Sequence, residues 1–153
     1  MEVYIYKSAK PNTRSLPRDE NGKPLPIDGK HFNISHSGGY FAIAISNHPV
    51  GIDLQSKFKL DKKTNQKIPR ELSARTLQKI LKPGEKPVNN NYLYNFVIKE
   101  AYAKKLGSGL GLGFSTVDAN DLLEKYHPYF KETEDYICYA FDWTKNRPLW
   151  VGF

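Results

Sequence analysis

Residues 31–55 read HFNISHSGGYFAIAISNHPVGIDLQ, and no other stretch limits the fold of this chain so tightly. It divides into a polar, Gly-rich turn (Asn33 to Gly39), an apolar run (Tyr40 to Ser46) and a second apolar run that carries Asp53 (Val50 to Gln55), with Asn47, His48 and Pro49 between the runs. Two short β-rich runs joined by so few residues predict a β-hairpin. Residues i and i+2 of a strand share a face. Asp53 and Gln55 therefore project together, while Leu54 turns into the core. Two oxygen-bearing side chains on one face make half of a hard-cation site, and the same pair also suits a solvated strand end.

A second stretch, NFVIKEAYAKK (Asn95 to Lys105), has helical period and no internal breaker. Glu100 sits in its middle, flanked by Lys99 and Lys104. Glu100 and Lys104 stand i,i+4 in the favourable order for an ordinary surface ion pair.

The remaining segments frame these two. Glu2 to Tyr6 alternates and predicts a strand; Ser8 to Lys30, with four prolines, predicts a long irregular loop. Ser56 to Arg70 is lysine-rich without period and predicts a mobile loop. Glu71 to Leu81 is amphipathic and is stopped by Lys82-Pro83-Gly84; Glu85, just beyond, reads as an exposed loop acid. Lys86 to Asn91 predicts a loop and Tyr92 to Leu106 the Glu100 helix, ended at Gly107. The run GSGLGLG (Gly107 to Gly113) follows a helix, so it is not a dinucleotide fingerprint. Phe114 to Val117 predicts a strand, Asp118 to Tyr126 a helix capped by Asp118, and Tyr136 to Trp143 and Pro148 to Phe153 the last strands.

At 153 residues the chain predicts one domain, and 39% hydrophobic content suffices for a core. The lone cysteine, Cys138, excludes an intramolecular disulfide and fits a reducing compartment. No run approaches the roughly 20 apolar residues that cross a bilayer, and MEVYIYKSAK does not read as a signal peptide. The expectation is a cytoplasmic protein with no membrane partner. The net charge of +7 attracts polyanions. The chain nevertheless lacks an RNA-binding signature, zinc-ligand spacing or a compact arginine-rich tract, so nucleic acid is not the expected partner.

Together FNISHSGG (Phe32 to Gly39), VGIDLQ (Val50 to Gln55) and IKEAYAKKLGSGL (Ile98 to Leu110), with NGKP (Asn21 to Pro24) upstream, resemble the motifs of the 4′-phosphopantetheinyl transferase superfamily in order and rough spacing. The resemblance runs from about Asn21 to Asp118. It implies an α+β fold of the 4′-phosphopantetheinyl transferase type, a small antiparallel sheet packed with helices. It also implies Mg²⁺-dependent transfer of 4′-phosphopantetheine from coenzyme A to a serine of an acidic acyl or peptidyl carrier protein, with release of 3′,5′-ADP. On this resemblance Lys23, Ser35 and His36 bind coenzyme A, and Lys99 and Lys104 neutralise phosphate charge. Asp53, Gln55 and Glu100 ligate Mg²⁺. The serine proton goes to Glu100, to Glu85 or to a metal-bound water.

Two departures stand out. Many members have Glu where this chain has Gln55, whose carbonyl brings no charge; weaker metal binding is expected. The larger members also have two similar halves. Here 49–153 resembles a complete second half, whereas 1–48 resembles a reduced first half without its helix. Lys7, Lys10, Arg14 and Arg18 are candidates to replace missing contacts to the coenzyme 3′-phosphate. Compact members place the site between subunits, so a homo-oligomer is compatible with this length. The alternative is a catalytically degenerate module that binds coenzyme A or a carrier protein.

Overall fold

Alternation in the first apolar runs produces a three-stranded antiparallel sheet in the order β1 (Glu2–Lys7), β3 (Tyr40–Ser46), β2 (His31–Ser37). The computed structural model describes residues 1–7, 16–107 and 113–142. Ala42 and Ala44 of β3 point inward and are fully buried, while Phe41, Ile43 and Ile45 line the opposite face. β2 and β3 form a tight hairpin in which Ser37 faces Tyr40 across Gly38-Gly39. Both glycines have positive φ, 57° and 85°, as the favoured two-residue turn requires.

This corrects two expectations. The polar stretch from Asn33 is strand as far as Ser37, and only Gly38-Gly39 turns. The expected hairpin between 40–46 and 50–55 does not form, because both edges of β3 are already taken by β1 and β2. The second run instead becomes β4 (Gly51–Ser56) of another antiparallel sheet. There it pairs with β8 (Tyr136–Phe141), which pairs in turn with β7 (Tyr129–Glu132), a strand without a clear sequence signal.

The lysine-rich segment is not an unstructured loop. It folds into a small hairpin, β5 (Phe58–Leu60) with β6 (Lys67–Pro69); strands of three residues are too short to show a period. Phe114–Thr116 is a turn of 3₁₀ helix, not a strand. The helices lie close to their expected bounds, each with a side-chain cap. They are α1 (Ala74–Ile80, capped by Ser73), α2 (Tyr92–Leu106, capped by Asn91) and α3 (Ala119–Tyr126, capped by Asp118). The expected strand at 148–153, the end of the one reaching Trp143, most of GSGLGLG, and Lys10 and Arg14 lie outside the described residues.

The fold class is α+β. α2 packs on β4 and β8, and one core cluster joins its Val97, Ile98 and Ala101 to Ile137, Tyr139 and Phe141. A second cluster, between the two sheets, joins Ala42 and Ala44 to Ile52, Leu54 and Cys138. Among the described residues no helix is long and apolar enough to cross a membrane.

At Gly51, strand β4 and helix α2 approach backbone to backbone. A Cβ on Gly51 would lie 2.2 Å from the Ala101 carbonyl oxygen and 2.2 Å from the Lys105 nitrogen. Helix and strand must separate to admit it. Gly51→Ala is therefore expected to cost at least about 3 kcal/mol, measured by urea unfolding. Gly39→Ala meets open space and costs only the left-handed backbone penalty, about 1–2 kcal/mol. Equal losses at the two sites would contradict this packing.

Candidate functional site

β2 and β4 are edge strands of different sheets, and they meet. An edge strand leaves a row of backbone donors that need partners. Here the partners are side chains. Asn33 Oδ1 accepts from the Ile52 N–H, Ser35 Oγ from Leu54 N–H and Ser37 Oγ from Ser56 N–H, each at 3.0 Å. Every second residue of β2 meets every second amide of β4. The polar residues of NISHS thus join the sheets.

Asp53 lies within this seam and is 3% exposed. Its Oδ1 accepts from the Ser35 hydroxyl at 3.3 Å and faces Lys104 Nζ at 3.5 Å; its Oδ2 accepts from Gln55 Nε2 at 2.9 Å. Burial pushes the carboxyl above its ordinary range, opposed first by the Lys104 charge and then by these hydrogen bonds. Asp53 and Gln55 share a face, as strand alternation requires.

Gln55 is turned by a residue that the sequence did not single out. Arg70 Nη1 donates to Gln55 Oε1 at 2.5 Å. Arginine can only donate, so the amide oxygen faces Arg70 and the NH₂ faces Asp53. Fifteen positions separate the two in the chain, and they meet because the β5–β6 hairpin folds back, with Arg70 N–H on the Lys57 carbonyl. Nothing in a lysine-rich segment signals that contact.

α2 supplies the other side of the site. Lys104 Nζ donates to the carbonyls of Ile52 (3.0 Å) and Ile34 (3.3 Å), so one ammonium ties α2 to β4 and β2. Its ion pair is with Asp53, not the expected one with Glu100. Glu100, one turn earlier, is half-buried and makes no hydrogen bond or ion pair among the described residues. Burial, and then the Asp53 charge, hold its carboxyl above the usual range, with Lys104 opposing. Two carboxyls close enough for the charge of Asp53 to raise Glu100 suit a hard divalent cation. Among the described residues no group of three or more His, Cys, Asp or Glu gathers for a metal, and the Gln55 carbonyl is turned toward Arg70.

Lys23 Nζ donates to the carbonyls of Val50 (2.7 Å) and Lys104 (2.5 Å), closing the end of α2. Burial lowers its pKa to about 8, with Asp19 opposing and Lys104 adding to the fall. Lys23, Arg18, Asn33 and Lys104 line a pocket of about 260 Å³. Ser35 and His36 point to opposite faces of β2: Ser35 is spent on the seam, and His36 is exposed.

Lys99 and Glu85 form a separate cluster. Lys99 is fully buried. It pairs with Glu85 and donates to the Ile80 and Phe114 carbonyls. Glu85, 7% exposed rather than an exposed loop acid, also accepts from Asn95 Nδ2 (2.7 Å), Lys82 N–H (2.9 Å) and Ala119 N–H (3.2 Å). The Lys-Pro-Gly turn folds it inward onto the helix. Burial lowers the Lys99 pKa against the pull of Glu85. Lys99→Met strands a buried carboxylate and is expected to cost about 3–5 kcal/mol. Adding Glu85→Gln should recover part of that in urea unfolding. A loss under about 1 kcal/mol for the single variant would mean the pair does not anchor the helices.

No protein-family profile matches the chain. Individual relatives do. The chain is 37% identical over 101 residues to the 4′-phosphopantetheinyl transferase gsp of Aneurinibacillus migulanus, covering 65% of this chain and 41% of that protein. It is 33% identical over 101 residues to the 4′-phosphopantetheinyl transferase psf-1 of Bacillus pumilus, covering 65% and 42%. With the 4′-phosphopantetheinyl transferase Sfp of Bacillus subtilis strain 168 the identity is 33% over 96 residues, covering 61% and 41%. The chain spans about two-fifths of the length of the curated relatives it matches. The resemblance of its motifs and these identities agree: over about two-thirds of its length the chain is similar to proteins named 4′-phosphopantetheinyl transferases.

Proposed function

We propose that this protein transfers 4′-phosphopantetheine from coenzyme A to a serine of an acidic acyl or peptidyl carrier protein in the cytoplasm, with Mg²⁺ as cofactor. The observation that carries the reading is the meeting of Asp53 on β4, Glu100 on α2 and the Lys104 ammonium at one seam. Asp53 and Glu100 would hold Mg²⁺, which when bound would neutralise pyrophosphate charge. The serine oxygen attacks the phosphorus that bears the pantetheine arm, and the bond to the 3′,5′-ADP oxygen breaks. Glu100 also takes the serine proton; it makes no hydrogen bond or ion pair among the described residues, which supports it over Glu85, whose oxygens are engaged.

Lys104, whose side chain is 32% exposed, offers its charge to phosphate. The pocket beside it, with Lys23 and Arg18, supports coenzyme A binding along that edge. His36 reaches a ligand from the outer face of β2, while Ser35 orients Asp53. Lys99 acts at a distance, by holding the end of α1 and the Glu85 turn against α2. Arg70 takes the Gln55 oxygen and leaves the metal to the two carboxylates.

The reading extends to architecture. Residues 1–48 form a reduced first half and 49–153 the second half of one 4′-phosphopantetheinyl transferase-type unit, with the site along their seam. Self-association of such a unit would cover the outer face of the reduced half. The donor orientation of Gln55 toward Asp53 supports a second reading, a module that binds coenzyme A or a carrier without turnover.

The test is mass spectrometry of apo carrier proteins incubated with the protein, coenzyme A and Mg²⁺. A gain of about 340 Da on a carrier, the mass of the transferred group in this phosphoryl transfer, is expected, and it should vanish in Asp53→Ala and Glu100→Ala. Coenzyme A binding with no mass gain on any carrier would favour the binding module instead.

A further inference from the structure

Gln55 stands between two groups that cannot exchange roles. Its Nε2 donates to Asp53 Oδ2 at 2.9 Å, and its Oε1 accepts from Arg70 Nη1 at 2.5 Å. A guanidinium has donors only, and an ionised carboxylate has acceptors only. The amide therefore satisfies both neighbours in one orientation alone. Turning it over would set its NH₂ against the Arg70 N–H and its oxygen against the Asp53 oxygen, and both bonds would be lost.

Arg70 is itself held at its backbone. Its N–H donates to the Lys57 carbonyl at 2.7 Å, and Lys57 N–H donates to the Asp135 carbonyl at 2.8 Å. The Lys57 ammonium pairs with Glu132 of β7. The Arg70 side chain thus rises from a hairpin base fixed to β7 and the turn that follows it, and both Arg70 and Gln55 are half-buried. A base fixed in this way lets one side chain set the orientation of another. A glutamine carbonyl is an acceptable ligand for a hard cation, and strand alternation puts Gln55 on the face of Asp53. Position alone would let it serve, but its oxygen faces Arg70 instead.

The geometry assigns Arg70 the part of a positioning residue: through Gln55 it sets how many protein ligands the Asp53–Glu100 site offers a divalent cation. With the Gln55 oxygen spent, ligation falls to the two carboxylates, and the other positions around the cation stay open to waters and phosphate oxygens. The inference rests on the metal reading of that site. It goes further in making the ligand count a property of the hairpin base and not of the strand that carries Asp53 and Gln55. Two effects of Arg70 on a cation must be told apart. Repulsion by its charge acts through space whatever residue stands at 55. Orientation acts only while Gln55 is there, and a double-mutant cycle separates the two.

The probe is Mn²⁺ alone, titrated into the full chain and followed by the electron paramagnetic resonance signal of the free ion. The variants are R70M, Q55M and R70M/Q55M, with D53A as the control for the site and circular dichroism and thermal unfolding as checks of the fold. R70Q joins them, because a glutamine there meets Gln55 in either orientation and keeps a polar side chain at the hairpin base. R70M and R70Q are expected to tighten Mn²⁺ binding at least about fivefold while Gln55 is present, and R70M to change it less than about twofold in the Q55M background. An equal effect of R70M in both backgrounds would reduce Arg70 to a nearby charge and overturn its positioning role. No effect in either background, or Mn²⁺ binding that D53A leaves intact, would overturn it too. Mass gain on a carrier with no coupling between positions 55 and 70 would remove the Arg70 role and leave the transfer reading intact. Coupling in Mn²⁺ binding with no mass gain on any carrier would keep the Arg70 role and remove the transfer.

Discussion

The site depends on a helix lying directly against a strand. Gly51 has no side chain, and the α2 backbone occupies the space one would take. That contact brings Glu100 and Lys104 over Asp53. A buried carboxylate is costly unless a positive charge and hydrogen bonds accompany it; the charge is that of Lys104, which this contact holds in place, and the hydrogen bonds come from Ser35 and Gln55. Lys104 serves the fold and the site at once, because the two carbonyls it binds belong to the two strands of the seam.

A second anchor stabilises the far side of α2. Lys99 and Glu85 are removed from water and satisfied by one another, by two carbonyls and by the amides around Glu85. Such a pair adds little net stability, yet losing one partner is expensive. It therefore specifies an arrangement: α1 (Ala74–Ile80), the 3₁₀ turn after the glycine run and the start of α3 (Ala119–Tyr126) are fixed around one helix. The helix carries a charge on each side, one spent on architecture and one left near solvent.

Much of this was legible in the sequence because period and caps are local. Asp118 announces its helix, the Lys82-Pro83-Gly84 stop and Gly107 mark the ends of two others, and i,i+2 spacing places Asp53 beside Gln55. The errors came from non-local pairing. The polar residues Asn33, Ser35 and Ser37 look like loop because their partners are amides of a distant strand. Once that run is read as strand, alternation alone separates Ser35 from His36. Glu85 looked exposed because nothing in a Lys-Pro-Gly turn reveals the lysine waiting beneath it. Arg70 was invisible because it stands fifteen positions from Gln55, and only the hairpin brings the two together.

The seam between the sheets has a consequence of its own. Where strands join through backbone bonds, the joint is the same whatever residues occupy it. Here the acceptors are the side chains of Asn33, Ser35 and Ser37, so each bond is written in a codon and can be lengthened, removed or replaced singly. The chain can thus adjust how its two sheets sit, and with them the rim of the site, by changing one letter at a time without rebuilding either sheet.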